Sequence, residues 1–82
     1  MKLEIYTPDQ TVFEGEITSV TVPGTSGSFE VLSGHAPIIS TLESGKVTVR
    51  GTDKTANTFQ IKGGVVEVLQ DKIVVLADGL AE

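Results

Sequence analysis

The feature that most constrains this chain is a two-residue alternation of apolar and polar side chains that never gives way to a helical period. Lys46-Val47-Thr48-Val49-Arg50 sets its valines on one side and Lys, Thr and Arg on the other, the spacing of a half-buried strand. Met1 to Thr7 repeats it, with Leu3 and Ile5 on one face and Lys2, Glu4 and Tyr6 on the other, until Pro8 removes a donor and stops the ladder. A 3.6-residue period nowhere persists for about ten residues. The expected class is all-β: a two-sheet antiparallel β-sandwich of roughly eight to ten short strands, in one domain over residues 1–82.

Within that frame several local features carry specific expectations. Between Thr11 and Val22 the apolar parity changes, from odd at Phe13 and Ile17 to even at Val20 and Val22. An extra residue near Thr18 and Ser19 restores one apolar face to both halves, so a β-bulge is expected there. Pro23-Gly24 suits the central pair of a type II turn. Ser33-Gly34 is a further turn, and Pro37 biases Ala36 to extended geometry before Ile38 and Ile39 resume a strand. Gly63-Gly64 between two β-rich runs suits a tight hairpin. The continuous run Ile73 to Ala77 reads as a strand covered on both faces, and the tail Asp78 to Glu82 is too short for a helix of its own.

Composition narrows the function. A chain of 82 residues without cysteine has neither disulfides nor a ligand cluster for zinc, so apolar strand faces or a partner must stabilise it. Residues 1–44 carry one lysine, Lys2, against Glu4, Asp9, Glu14, Glu16, Glu30 and Glu43, whereas residues 45–82 are balanced, so the net charge of −5 belongs to the first half. An acidic half without a basic patch argues against nucleic acid and against direct membrane docking. No apolar run approaches the roughly 18 residues of a spanning helix and no cleavable leader is evident, so the reading is a soluble chain with no address label.

Candidates for chemistry are few. His35 is the only histidine, and its ordinary reading is a loop histidine satisfied by backbone or water, with partner contact as the alternative. Glu14 and Glu16 share a strand face beside Gly15, while Asp71 and Asp78 fall in a turn and in the tail, all consistent with solvated rims. Gly24-Thr-Ser-Gly27 lacks the following helix and lysine of a phosphate loop. Asp53-Lys54, in a polar loop between strands, raises a carrier-domain reading in which Lys54 is lipoylated or biotinylated, although the pattern expected around such a lysine is missing. No cofactor or metal is expected.

From Pro23 to Ile39 the chain reads Pro-Gly-Thr-Ser-Gly-Ser-Phe-Glu-Val-Leu-Ser-Gly-His-Ala-Pro-Ile-Ile. This resembles the epsilon subunit of F-type ATP synthases, with its Pro-Gly-x-x-Gly-x-[aromatic or Leu]-x-Val-Leu-x-x-His-Ala-Pro-Leu-Ile stretch. Phe13-Glu-Gly-Glu, Leu42-Glu-Ser-Gly45, Lys62-Gly-Gly-Val-Val-Glu-Val and Val74-Val-Leu-Ala-Asp78 resemble further family segments in the same order. The resemblance implies a non-catalytic β-sandwich that couples the gamma subunit to the ring of c subunits, peripheral to the cytoplasmic face of the bacterial inner membrane.

On that resemblance Ser28, Glu30 and His35 face the ring's polar loops and the base of gamma, and Ile38 to Thr41, with Ile38 and Ser40 as contacts, lies near gamma. Glu30 stands where many members have glycine, and Ser33-Gly34 replaces a common Pro-Gly or Pro-Asn. Many members continue into a two-helix hairpin, whereas this sequence stops at Glu82, so helical autoinhibition and nucleotide binding are not expected of it. A generic β-sandwich adaptor is the other alternative to the carrier reading.

Overall fold

The second strand organises the molecule. In the computed structural model, which describes residues 1–81, β2 (Thr11–Val22) is the longest strand and serves two sheets. Its first half pairs antiparallel with β1 (Lys2–Tyr6). Its second half lies between β3 (Phe29–Leu32) and β5 (Gly45–Gly51). Between the halves the pairing with β5 slips: Ile17 opposes Gly51 and Ser19 opposes Arg50, leaving Thr18 without a partner residue. This is the bulge that the parity change requires, and through it Ile17, Val20 and Val22 are all buried. The Thr18 hydroxyl donates to the Arg50 carbonyl across the slip at 3.1 Å.

The remaining strands are β4 (Ile38–Leu42), β6 (Ala56–Ile61), β7 (Gly64–Leu69) and β8 (Lys72–Ala77). One sheet runs β4-β7-β8-β1-β2 and the other β3-β2-β5-β6, with β2 common to both. The all-β sandwich expected from alternation is therefore the fold, with eight strands among the described residues. Its core is aliphatic: Leu3, Ile5, Val20, Val22, Val31, Val47, Val49, Ile61, Val66, Ile73 and Val75 are fully buried. Burying one such side chain stabilises by about 1.5–3 kcal/mol. Phe13 and Phe59 close one rim edge to face, with ring centroids 6.0 Å apart.

Four local expectations are corrected. The pairing of β1 with β8 is parallel, because β8 returns from the far end of the chain and alternation looks the same in either strand direction. Gly63 and Gly64 do take positive φ, 118° and 149°, yet β6 pairs only with β5, and β7 pairs with β4 and β8. Those glycines carry the chain from one sheet to the other, not round a hairpin. Gly24 is not left-handed; the turn lies two residues later, with Thr25 and Ser26 as its central pair, closed by the Gly27 N–H on the Gly24 carbonyl at 2.9 Å, with Gly27 at φ 125°. Finally, β8 is covered on one face only. Ile73, Val75 and Ala77 point inward, while Leu76 is 54% exposed, because no second layer lies over that side of the sheet.

Candidate docking surface

The turn from β3 to β4 holds the only histidine. Gly34 at φ 86° lets the chain reverse, and the His35 N–H closes the turn on the Leu32 carbonyl at 3.1 Å. His35 Nδ1 lies 2.7 Å from the Ala36 carbonyl oxygen. A carbonyl only accepts, so Nδ1 carries a proton and Nε2 is the ring nitrogen left for another partner. The ring stacks on Phe29, centroids 6.5 Å apart and 29° between planes. Phe29 in turn lies against Gly24, where a Cβ would sit 2.9 Å from the ring and 2.7 Å from the Gly27 carbonyl oxygen. The glycine is thus a condition of the Phe29–His35 stack.

Ser28 is exposed at the start of β3 and Glu30 is exposed on it, opposite Thr21. These two and His35 lie along β3 and its turns, although Glu30 alternates to the side of the strand away from Phe29, against which His35 stacks. Ile38 and Ser40 lie elsewhere: they sit on β4, opposite Val68 and Val66 of β7, in the other sheet. They share the inward side of β4 with buried Leu42, Ile38 at the open rim and Ser40 half-buried with its hydroxyl on the Thr41 carbonyl at 3.2 Å. Ile39 points the opposite way and is 70% exposed. Beside it Pro37, Ile38, Ile39, Glu67, Val68 and Leu69 line an apolar hollow of about 330 Å³.

Sequence reasoning missed the outward face of the β4-β7-β8-β1-β2 sheet. Cross-strand pairing aligns Thr41, Val65, Leu76 and Tyr6 in one row, and Ile39, Glu67, Val74, Glu4 and Glu14 in the next. Glu4 is nearly covered, with Lys2 Nζ at 3.4 Å and Lys72 Nζ at 3.6 Å. Burial is the largest influence on its carboxyl and raises it. The Tyr6 hydroxyl bond, Lys72 and Lys2 together outweigh burial and hold Glu4 below its ordinary value. The same bond to Glu4, reinforced by burial, raises the Tyr6 hydroxyl. The legible signal was a surplus: Val65, Leu69, Val74 and Leu76 occupy positions that polar residues would hold if that face met only water.

The other sequence candidates do not gather into a site. Glu14 and Glu16 take part in ion pairs at the sheet surface, with Lys2 and with the terminal amine, and the amine also meets Asp71. Lys54 stands at the tip between β5 and β6 with φ 68°. That tip is held by Asp53, whose carboxylate accepts from the Thr55 hydroxyl at 2.6 Å and the Thr55 N–H at 3.2 Å and is lowered by those bonds. Among the described residues, groups of three or more metal-ligating side chains are absent.

A family model described as "ATP synthase, Delta/Epsilon chain, beta-sandwich domain" matches residues 1–82. This chain belongs to that ATP synthase delta/epsilon family. A protein of Chlorobium limicola named ATP synthase epsilon chain is 44% identical over 80 residues, covering 98% of this chain and 91% of that protein. Its namesake in Chlorobaculum tepidum is 47% identical over 76 residues, covering 93% and 86%. In the Euglena gracilis mitochondrial ATP synthase, a solved assembly of OSCP, F1 and c-ring, one chain superposes with a TM-score of 0.89 at 20% identity. The match covers 96% of this chain, which spans about half, 51%, of that one. That likeness speaks for the fold alone, and the family match favours the epsilon reading over a carrier lysine at Lys54.

Proposed function

We propose that this domain is the part of an F-type ATP synthase central stalk that joins the gamma subunit to the ring of c subunits. The observation that carries the reading is the family match along the whole sequence. Such a coupler acts by adhesion and stiffness and needs no reacting group. As part of that complex it sits peripherally on the cytoplasmic face of the bacterial inner membrane.

The group along β3 meets the polar loops of the ring: Ser28 and Glu30 through exposed polar side chains, and His35 through its free Nε2. Ile38 and Ser40 on β4 face gamma. Support for this assignment lies in the exposure of Ser28 and Glu30 and in an Nδ1 already committed to Ala36, which fixes the direction in which His35 can bond a partner. Gentle extraction of the tagged chain is expected to retain gamma, the catalytic head and the ring. Recovery of the folded chain with none of these subunits would overturn the reading, and an intact mass enlarged by a lipoyl or biotinyl group at Lys54 would replace it with the carrier.

A further inference from the structure

Two edges of the β4 strand differ in how they are used. Its inner edge is bonded to β7 along its whole length. On its other edge, the Thr41 carbonyl accepts from the Thr25 N–H at 3.1 Å and the Glu43 N–H donates to the Pro23 carbonyl at 2.8 Å. Residues two apart in a strand point their backbone groups to the same side. The N–H and C=O of Ile39 therefore also point away from β7. Continued pairing would bring Gly27 opposite Ile39, given the Gly24–Leu42 bridge. The Gly27 N–H is instead committed to the Gly24 carbonyl, so the chain turns away before it covers Ile39.

The result is a short open edge with three further attributes. Ile39 is the most exposed of the large apolar side chains, at 70%. The apolar hollow bounded by Pro37 and Leu69 opens beside it. Glu67, directly opposite Ile39 on β7 and on the hollow's wall, makes no ion pair among the described residues, unlike Glu4, Glu14 and Glu16 on the same sheet. Natural open edges usually carry a charge, a proline or a cover at such a point. This one carries neither charge nor proline at Ile39 itself.

We propose that the first half of β4 is a strand-addition edge: an extended segment of the partner bonds to the Ile39 N–H and C=O, seats an apolar side chain in the hollow, and sets a lysine or arginine against Glu67. Backbone bonds supply the adhesion, and the hollow and the carboxylate supply register and choice of partner. The proposal rests on the function proposed above, in which gamma is the partner at this strand. It adds the mode of contact, a sheet continued from one subunit into the other, which suits a joint that must carry torque without slip.

Amide hydrogen exchange of the free chain and of its complex with gamma tests this directly. The Ile39 amide is expected to exchange freely alone and to slow by at least about 100-fold in the complex. Ile39→Pro, which removes the outward donor without breaking a ladder bond to β7, and Glu67→Lys are each expected to weaken gamma binding by about 10-fold or more. A complex that forms with the Ile39 amide still unprotected overturns strand addition and leaves the coupling function standing. Failure to form any complex overturns both. Protection of Ile39 in the free chain that grows with its concentration overturns the assignment to gamma in favour of pairing between two copies.

Discussion

Individual residues show where this fold has no slack. A Cβ at Gly64 would overlap the Leu76 carbonyl oxygen and crowd the Ala77 Cα, and φ there is 149°. Those contacts are backbone, which cannot swing aside as a side chain can. Gly64→Ala is therefore expected to destabilise by about 3 kcal/mol or more, read as a drop in the urea midpoint. Glu4 acts in the opposite sense. Its carboxyl is more acidic folded than its ordinary value of 4.5, so it contributes stability above that value and loses it as pH falls through the lower folded one. Glu4→Gln is expected to flatten the acid limb of the stability profile below about pH 4.5; an unchanged acid limb would remove the Lys2–Glu4–Lys72 cluster from the account.

At the scale of elements, β2 works because it holds one residue more than a regular ladder allows. The alternating pattern could reveal the mismatch between Ile17 and Val20, but not which residue would be expelled; the pairing of Ile17 with Gly51 and Ser19 with Arg50 identifies Thr18. Deletion of Thr18 is expected to abolish the folded state, since straightening β2 would turn Val20 and Val22 out of the core. Thr18→Ala keeps the extra residue and loses only the hydroxyl bond to Arg50, costing about 1 kcal/mol. Dispersed amide spectra for the deletion variant would count against the bulge as the corner of the sandwich. The Gly63-Gly64 step teaches the complementary lesson. Its backbone conformation was legible in the residue type, whereas its role was not, because a glycine pair allows a hairpin and a crossover equally.

For the whole molecule, the balance between core and surface matters most. Extents of 27 × 24 × 19 Å leave room for one aliphatic layer between the sheets. The apolar residues in excess of that layer, Ile39, Leu69 and Leu76 among them, stand on the outside. A domain built this way is suited to being held between larger neighbours. His35 belongs to the same scale, because its Phe29 stack is local while its Nε2 is free for a partner. His35→Ala is expected to cost about 1 kcal/mol of stability, keep the fold, and lower retention of the ring or gamma by about 10-fold. Unfolding of that variant at room temperature would mark His35 as structural instead.

Short-range chemistry was enough to specify the strands, the need for a bulge and the all-β class, because side-chain alternation, proline and glycine act within a few residues of themselves, but it set the Pro23-Gly24 turn two residues early. The resemblance in Pro23 to Ile39 was equally legible, since it is carried by contiguous residues. What only the tertiary structure decided were the parallel pairing of β1 with β8, the crossover at Gly63-Gly64, the open edge at Ile39 and the covered carboxylate of Glu4. Each depends on which distant strand lies alongside. Alternation says which face of a strand is apolar, but it is blind to strand direction, to neighbour identity and to whether a second layer exists to cover that face.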